Sequence, residues 1–392
     1  MKFFILSSLV VSSLLFGACN NNQHTAAGNT SLNDSTDWAI LPFTKVDSVN
    51  PILKPGNSSF TDPILKKTVL WEEKDVFNPA IVNRDGKVYM LYRAQDKTGK
   101  PAGTSRIGLA VSNDALHFTR MKEPVFYPDN DAYKKLEWQG GCEDPRVVED
   151  DKGTYYMTYT AFDGNLARLL IATSTDLVHW EKHGSVFAKA FNGKYADKWS
   201  KSGSIVSTYK DGKVIATRIN GKYWMYWGDA QIWAATSDNL LDWTPVEMQP
   251  GEKPPVPLRG QALNMPQLKI ALPTREGKFD SDLVESGPPA MLTDKGILLI
   301  YNSRNVPAIG DKSLAEGTYA ASEVLFDKND PTKILHRMDT WFIKPEKPYE
   351  LSGQVNQVCF VEGLTRFQNK WYLYYGTADS KIAVAVSNAG KP

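Results

Sequence analysis

The sequence predicts an all-β protein, a five-bladed β-propeller, on three observations. An aromatic strand that follows a short turn recurs five times, at residues 86–92, 153–159, 221–227, 296–301 and 369–375. The copies are nearly evenly spaced: Tyr159 lies 67 residues after Tyr92 and Tyr226 a further 67, with Tyr301 75 beyond that and Tyr375 another 74. Almost no stretch carries the 3.6-residue period of an amphipathic helix. A β-sandwich or a pair of β domains also accommodates many short strands, but even spacing is the mark of a repeat architecture.

Taken in order, residues 1–19 are a targeting segment and stand apart from the fold. Lys2 precedes an apolar run, 3–16, broken only by serines, and Phe16-Gly17-Ala18-Cys19 follows. That ending resembles a bacterial lipoprotein signal, in which Cys19 becomes the lipidated N-terminus. Cleavage near Ala18 as an ordinary signal peptide is the alternative. Either way the chain is expected to be exported, as an outer-membrane lipoprotein or a periplasmic protein. Its only membrane contact would be the lipid anchor. The run is too short for a stable span. Residues 20–40, rich in Asn, Gln, Thr, Ser and Gly, read as a solvated tether. Residues 41–392 read as one propeller domain, with 41–75 a lead-in that wraps it.

Each aromatic strand is followed by a short strand of small and β-branched residues, at 107–112, 170–174, 232–237 and 382–387, with 319–324 a divergent copy. Three of these run into Asn/Asp turns ending in an aromatic, at 113–118, 175–180 and 238–243. Each aromatic strand is also preceded by a strand that opens with a polar residue: Asn78, Asp144, Lys201, Glu285 and Glu362. Residues 245–280 carry weak strand signals and read as an insertion over one face.

The bulk composition narrows the function. The net charge of +1 gives no electrostatic case for nucleic acid or an anionic membrane surface. Five His residues show no metal-ligand spacing, and there is no Cys-x-x-Cys. No metal or cofactor is therefore expected, and Cys142 and Cys359 read as buried free thiols. Trp138, Trp199 and Trp233 suit sugar platforms, though core packing suits them better.

In a propeller the innermost strands line a central channel, so their opening residues converge. Three acids and a lysine from separate repeats then share one small space, which is costly unless they are paired or used. Paired carboxylates in a polar, aromatic-rimmed pocket suit glycoside cleavage. Arg146 beside Asp144 lowers the carboxyl's proton affinity, which argues against Asp144 as a direct acid. A local ion pair at a strand start is the structural alternative. Glu285 and Glu362 equally fit channel-lining acids paired with Lys201 or Arg168.

The run Gly141-Cys142-Glu143-Asp144-Pro145-Arg146 resembles the signature of glycoside hydrolase family 130, the mannoside phosphorylases and β-mannosidases. So do Asn78-Pro79-Ala80, Tyr92-Arg93-Ala94, Ala167-Arg168-Leu169, Ser200-Lys201-Ser202-Gly203, Gly287-Pro288-Pro289 and the run 374–379. The resemblance implies a five-bladed propeller with inverting chemistry. Asp144 would be the acid, passing its proton through a sugar hydroxyl, and Asn78, Arg93 and Asp379 would hold the non-reducing mannose. Glu143, Arg146, Arg168 and Lys201 would complete the substrate-binding set. The family divides by nucleophile. Arg168 and Lys201 match part of a phosphate cradle. However, Tyr301-Asn302-Ser303 stands where phosphorylases carry a His, and Glu285 and Glu362 match a pair that activates water. Export also favours hydrolysis, since a sugar phosphate is useful only inside the cell. The expectation is therefore an inverting β-mannoside hydrolase acting on an oligosaccharide. Phosphorolysis to mannose 1-phosphate is the first alternative, and a non-catalytic glycan-binding lipoprotein the second.

Overall fold

The computed structural model describes residues 37–100 and 102–390; the targeting segment, Cys19 and most of the predicted tether lie outside them. Strands dominate the described residues, and the two α-helical segments among them, Lys134–Glu137 and Pro348–Leu351, are single turns. Each predicted aromatic strand is the second strand of an antiparallel meander. The first meander runs Asp75–Arg84, Lys87–Gln95, Ser105–Ser112 and Thr119–Arg120. The second runs Gly141–Glu149, Tyr155–Phe162, Ala167–Ser174 and Glu181–Ser185. The third is Ser204–Ile205, Lys222–Trp227, Ile232–Ser237 and Trp243–Pro245. In the fourth, Leu283–Ser286 and Met291–Leu292 share one partner, Ile297–Arg304, followed by Tyr319–Phe326 and Ile334–Arg337. The fifth is Cys359–Phe367, Lys370–Thr377 and Lys381–Ser387.

The lead-in supplies the missing strand of the fifth meander. Thr44–Lys45 pairs with Val386 and Ala385, and Leu53 bridges to Ile382. The Val76 N–H then donates to the Ser380 carbonyl at 3.3 Å, so the first meander meets the last. Short parallel bridges join other neighbours, Ser105 to Gly141 and Tyr319 to Val358. Gly141 is required at the first of these. It has φ +113°, and a Cβ there would sit 2.1 Å from the Ser105 carbonyl oxygen, a conformation and a contact open only to glycine.

The apolar core lies between meanders rather than within one. One cluster packs Val76, Met90 and Tyr92 of the first meander on Tyr372, Tyr374 and Val384 of the fifth. Another packs Tyr226 and Ile232 of the third on Leu299, Tyr301 and Val324 of the fourth. Alternation along each strand sends one set of side chains to each interface, which is why the aromatic repeats are so regular.

Four local expectations change. The predicted tether ends too late, because the compact unit begins at Asp37. Trp38 and Ile40 are buried, Trp38 stacks on His336, and the Ile40 N–H donates to Glu323 at 3.1 Å. The third inner strand is only Ser204–Ile205, since the chain leaves it for an extra hairpin, Ser207–Lys210 with Lys213–Ala216, that pairs with neighbouring meanders. The copy that looked divergent, Tyr319–Phe326, is paired in full register with Ile297–Arg304. The insertion contributes a strand, Ile270–Leu272, to the third meander. Cys142 and Cys359 are buried free thiols.

Candidate active site

The site begins with a repeated irregularity. The inner strands of the first, second and fifth meanders break register in the same place, at Asn78, at Asp144-Pro145 and at Glu362. Asn78 and Asp144 adopt φ of +47° and +49°. A bulge leaves one residue unpaired and turns its side chain out of the pleat, and Pro145, with no N–H to pair, suits such a break. Asn and Asp tolerate the left-handed region better than most residues. Ser202, just before the third inner strand, has φ +59°. The sequence thus places short polar residues where the backbone can aim them at a shared centre.

Asp144 is the hub. Its Oδ1 accepts from Asn78 Nδ2 at 2.9 Å and from Arg93 Nη1 at 3.0 Å, and Lys201 Nζ lies 3.6 Å from Oδ2. The other arm of the Arg93 fork donates to Glu143 Oε1 at 2.6 Å, and its Nε donates to Ser105 Oγ at 3.0 Å. Arg93 is therefore a fixed bidentate link between two adjacent carboxylates. Ser202 Oγ donates to Glu285 Oε1. Arg146 Nη2 is 3.5 Å from Glu362 Oε2, and neither oxygen of Glu362 accepts a hydrogen bond among the described residues.

These contacts separate the five carboxyls by proton affinity. Burial alone would raise Asp144, but Arg93, Lys201, Asn78 and Arg146 hold it well below the usual carboxylate range. Burial raises Glu143 despite Arg93, and the Asp144 charge adds to the rise. Burial pushes Glu285 up to about 7 against the pull of Lys201, with Asp229 adding. Burial also raises Glu362 well above its usual value, opposed by Arg146 and reinforced by Asp144 and Glu285. Asp379 is pushed up to about 6 by burial, against Arg93. Divergent values among neighbouring acids are how one pocket supplies both an acid and a base.

Nine of the ten predicted residues belong to this network. Arg168 does not: its guanidinium donates to Asp163 at 2.8 Å and Asp197 at 2.9 Å, outside the cluster. Arg146 is in the network but serves as a brace rather than as a ligand-facing cation. It is buried, and it donates to the carbonyls of Ser286 at 2.6 Å, Gly287 at 2.8 Å and Asp144 at 3.3 Å, tying the second inner strand to the fourth. Two positioning residues escaped sequence reasoning. Ser202 holds Glu285. Asn302 clamps the fifth inner strand beside Glu362, with Nδ2 donating to the Val361 carbonyl at 2.9 Å and Oδ1 accepting from its N–H at 2.7 Å. Asn302 lies in the run where a phosphorylase His was looked for.

Ser202 gives a direct test. Its hydroxyl favours ionised Glu285, so its loss raises that carboxyl further. Ser202→Gly keeps the left-handed backbone without strain. The acid limb of the kcat/KM profile is expected to move up by about one pH unit. An unmoved limb would show that the hydroxyl does not tune Glu285.

Beside Lys201 and Glu285 opens a cavity of about 370 Å3. Trp199, Asp229, Asp282, Arg304 and Tyr319 line it, together with Arg259–Gln261 of the insertion. Trp233, by contrast, is a core residue.

Buried carboxyls of unequal proton affinity in one pocket are what glycoside cleavage uses. The family profile described as beta-1,4-mannooligosaccharide phosphorylase matches residues 44–391, and the chain is a member of glycoside hydrolase family 130. It is 32% identical to a 1,2-beta-oligomannan phosphorylase of Thermoanaerobacter sp. (strain X514), over 81% of this chain and 90% of the relative. A putative glycosidase from Bacteroides thetaiotaomicron VPI-5482 is 47% identical, covers 91% of this chain and 99% of its own, and has a TM-score of 0.84. A second structure is 46% identical, with 91% and 96% coverage and a TM-score of 0.84. It is described by the words "The GH130 family of mannoside phosphorylases contains glycoside hydrolases that target beta-1,2 mannosidic linkages in Candida mannan".

Proposed function

We propose that the five meanders close into a five-bladed β-propeller and that the chain hydrolyses β-mannosidic linkages with inversion, releasing mannose from an oligosaccharide. Closure is supported by the N-terminal strand, which completes the fifth meander, and by the contact of that meander with the first. Residues 1–19 support an exported enzyme.

One observation carries the choice of water over phosphate. Glu143, Asp144, Glu285, Glu362 and Asp379 outnumber Arg93, Arg146 and Lys201, and each of these cations already faces a carboxylate. A phosphate dianion entering such a pocket finds these cations already engaged and Arg168 held by Asp163 and Asp197, whereas water needs no cation to receive it. The 46%-identical structure, described in terms of glycoside hydrolases, lies on the same side. In this reading Glu285, ionising near neutrality, takes a proton from the attacking water, and Glu362 orients it. The leaving oxygen receives a proton through a sugar hydroxyl. That proton resides on the Glu143–Asp144 pair, because Asp144 alone is held too acidic to carry it.

Phosphorolysis is the second reading, and the curated relatives favour it: at 32% and 28% identity they are named phosphorylases. Incubating the enzyme with β-mannobiose, with and without inorganic phosphate, separates the two. Mannose alone is expected under both conditions. Mannose 1-phosphate formed only with phosphate would replace the hydrolase reading with the phosphorylase one.

A further inference from the structure

We propose that the cavity between residues 121–133 and the outer strand of the second meander, Glu181–Ser185, is a second carbohydrate site, which holds a neutral glycan chain apart from the catalytic carboxyls. It rests on the β-mannoside reading above only for the identity of that glycan.

A repeated turn that the catalytic site leaves unused sets the place. The turns 113–118, 175–180 and 238–243 end in Phe118, Trp180 and Trp243. Trp243 is sealed: it is 1% exposed and lies in one core cluster with Ala262 and Met265 of the insertion. Phe118 meets the ring of Tyr374 at 5.9 Å, nearly at right angles. Trp180 makes the same local bond as Trp243, its Nε1 donating to the carbonyl three residues back at 3.1 Å, yet it borders a cavity of about 600 Å3. No residue of the catalytic cluster lines that cavity. Lys182 on its wall is level with Val147 of the inner strand, across Ala172 and Met157, and three strand spacings put the two about 14 Å apart.

The wall is organised before any ligand arrives. All three donors of Lys182 Nζ are taken by protein: the Tyr127 carbonyl at 2.9 Å, Asp131 at 2.9 Å and Glu137 at 2.6 Å. Asp131 also accepts the Tyr133 N–H at 2.8 Å. The loop is thereby tied to the outer strand, with Tyr127 and Tyr133 in the cavity wall. Gly184, at φ +84°, makes room for the second of these, since a Cβ there would lie 2.8 Å from the Tyr133 ring. Aromatic rings already fixed in place lose little freedom when a sugar stacks on them.

The lining selects the ligand. Glu123 and Asp129 complete it, and Asp129 accepts only the adjacent Asn130 N–H among the described residues. Lys182 is fully engaged, and the His179 ring faces Asp176 at 2.7 Å. The groups left to a ligand are therefore two carboxylates and two tyrosine hydroxyls. Such a wall repels phosphates and uronates and accepts the hydroxyls of a neutral sugar. Its volume falls within the range of ligand sites, roughly 300–1,000 Å3.

The test separates holding from cutting. Binding of soluble β-mannan is measured by affinity electrophoresis in Asp144→Asn, which leaves the polymer intact, and in the same protein carrying Trp180→Ala or Glu123→Ala/Asp129→Ala. Each addition is expected to raise Kd by about five- to tenfold. Introduced into otherwise wild-type enzyme, the same substitutions should leave kcat/KM on β-mannobiose within about twofold, because they lie away from the catalytic carboxyls. The double variant changes only surface carboxylates, so it stays informative should Trp180→Ala fold poorly. No binding by the Asp144→Asn parent, an unchanged Kd in the additions, or a matching loss on β-mannobiose would overturn the site. Weakened binding in variants of an enzyme that turns over no β-mannoside would keep the site and remove the proposed reaction instead.

Discussion

Replacing Asp144 by Asn is expected to lower turnover of β-mannobiose by about three orders of magnitude, the usual weight of a positioned acid. The loss should be far smaller on 2,4-dinitrophenyl β-mannoside, whose leaving group needs no proton. That contrast separates an acid from a scaffold residue. The same substitution should destabilise the protein at pH 7. Asp144 is held below its unfolded-chain value, so its ionisation favours the fold above the ordinary carboxylate range, and this contribution is lost as the pH falls. In the variant Arg93 retains Glu143 at 2.6 Å, but Lys201 loses a carboxylate 3.6 Å away. The gap in melting temperature between wild type and variant should therefore narrow as the pH is taken below about 4. Equal losses on the two substrates would assign Asp144 to positioning alone.

Much of this arrangement was legible in the sequence because it repeats. Alternating aromatic and β-branched residues announce each second and third strand, and the Gly141–Arg146 run announces the hub. The same Asx turn recurs after the third strands: Asp114, Asp176 and Asn239 side chains accept backbone N–H groups two and three residues on. What stayed hidden is what depends on contacts between repeats. Arg146 looks like a ligand-facing cation until its partners prove to be backbone carbonyls of the fourth meander. Arg168 sits in a family-like run, yet Asp163, a loop residue five positions earlier, turns it away from the centre. Ser202 lies in the family-like run 200–203 and Asn302 in the run 301–303, but neither run says what its side chain does. Their value comes from facing Glu285 and the strand of Glu362, which no spacing in the chain reveals.

Glu285→Gln should remove most activity and yet raise stability at pH 8, the opposite stability effect to that of Asp144→Asn. Glu285 is raised from the ordinary carboxylate value to about 7, so between those values the folded chain holds a proton that the unfolded chain has released. Stability therefore falls as the pH rises through that window, by up to about 3 kcal/mol once Glu285 is fully ionised. Glutamine mimics the neutral acid and does not ionise, so the variant should melt with wild type near pH 4 and above it at pH 8. Lys201 does not reverse the sign, because its pull on Glu285 already acts in the native protein and burial still prevails. Activity should move the other way: without a base the attacking water keeps its proton, and loss by a factor of about 10² to 10⁴ follows. Azide, a nucleophile with no proton to shed, should restore turnover of an aryl β-mannoside in Glu285→Gln but not in Asp144→Asn. A Glu285→Gln protein that melts below wild type at pH 8 and ignores azide would make Glu285 the structural counter-ion of Lys201, and the base would have to be sought at Glu362.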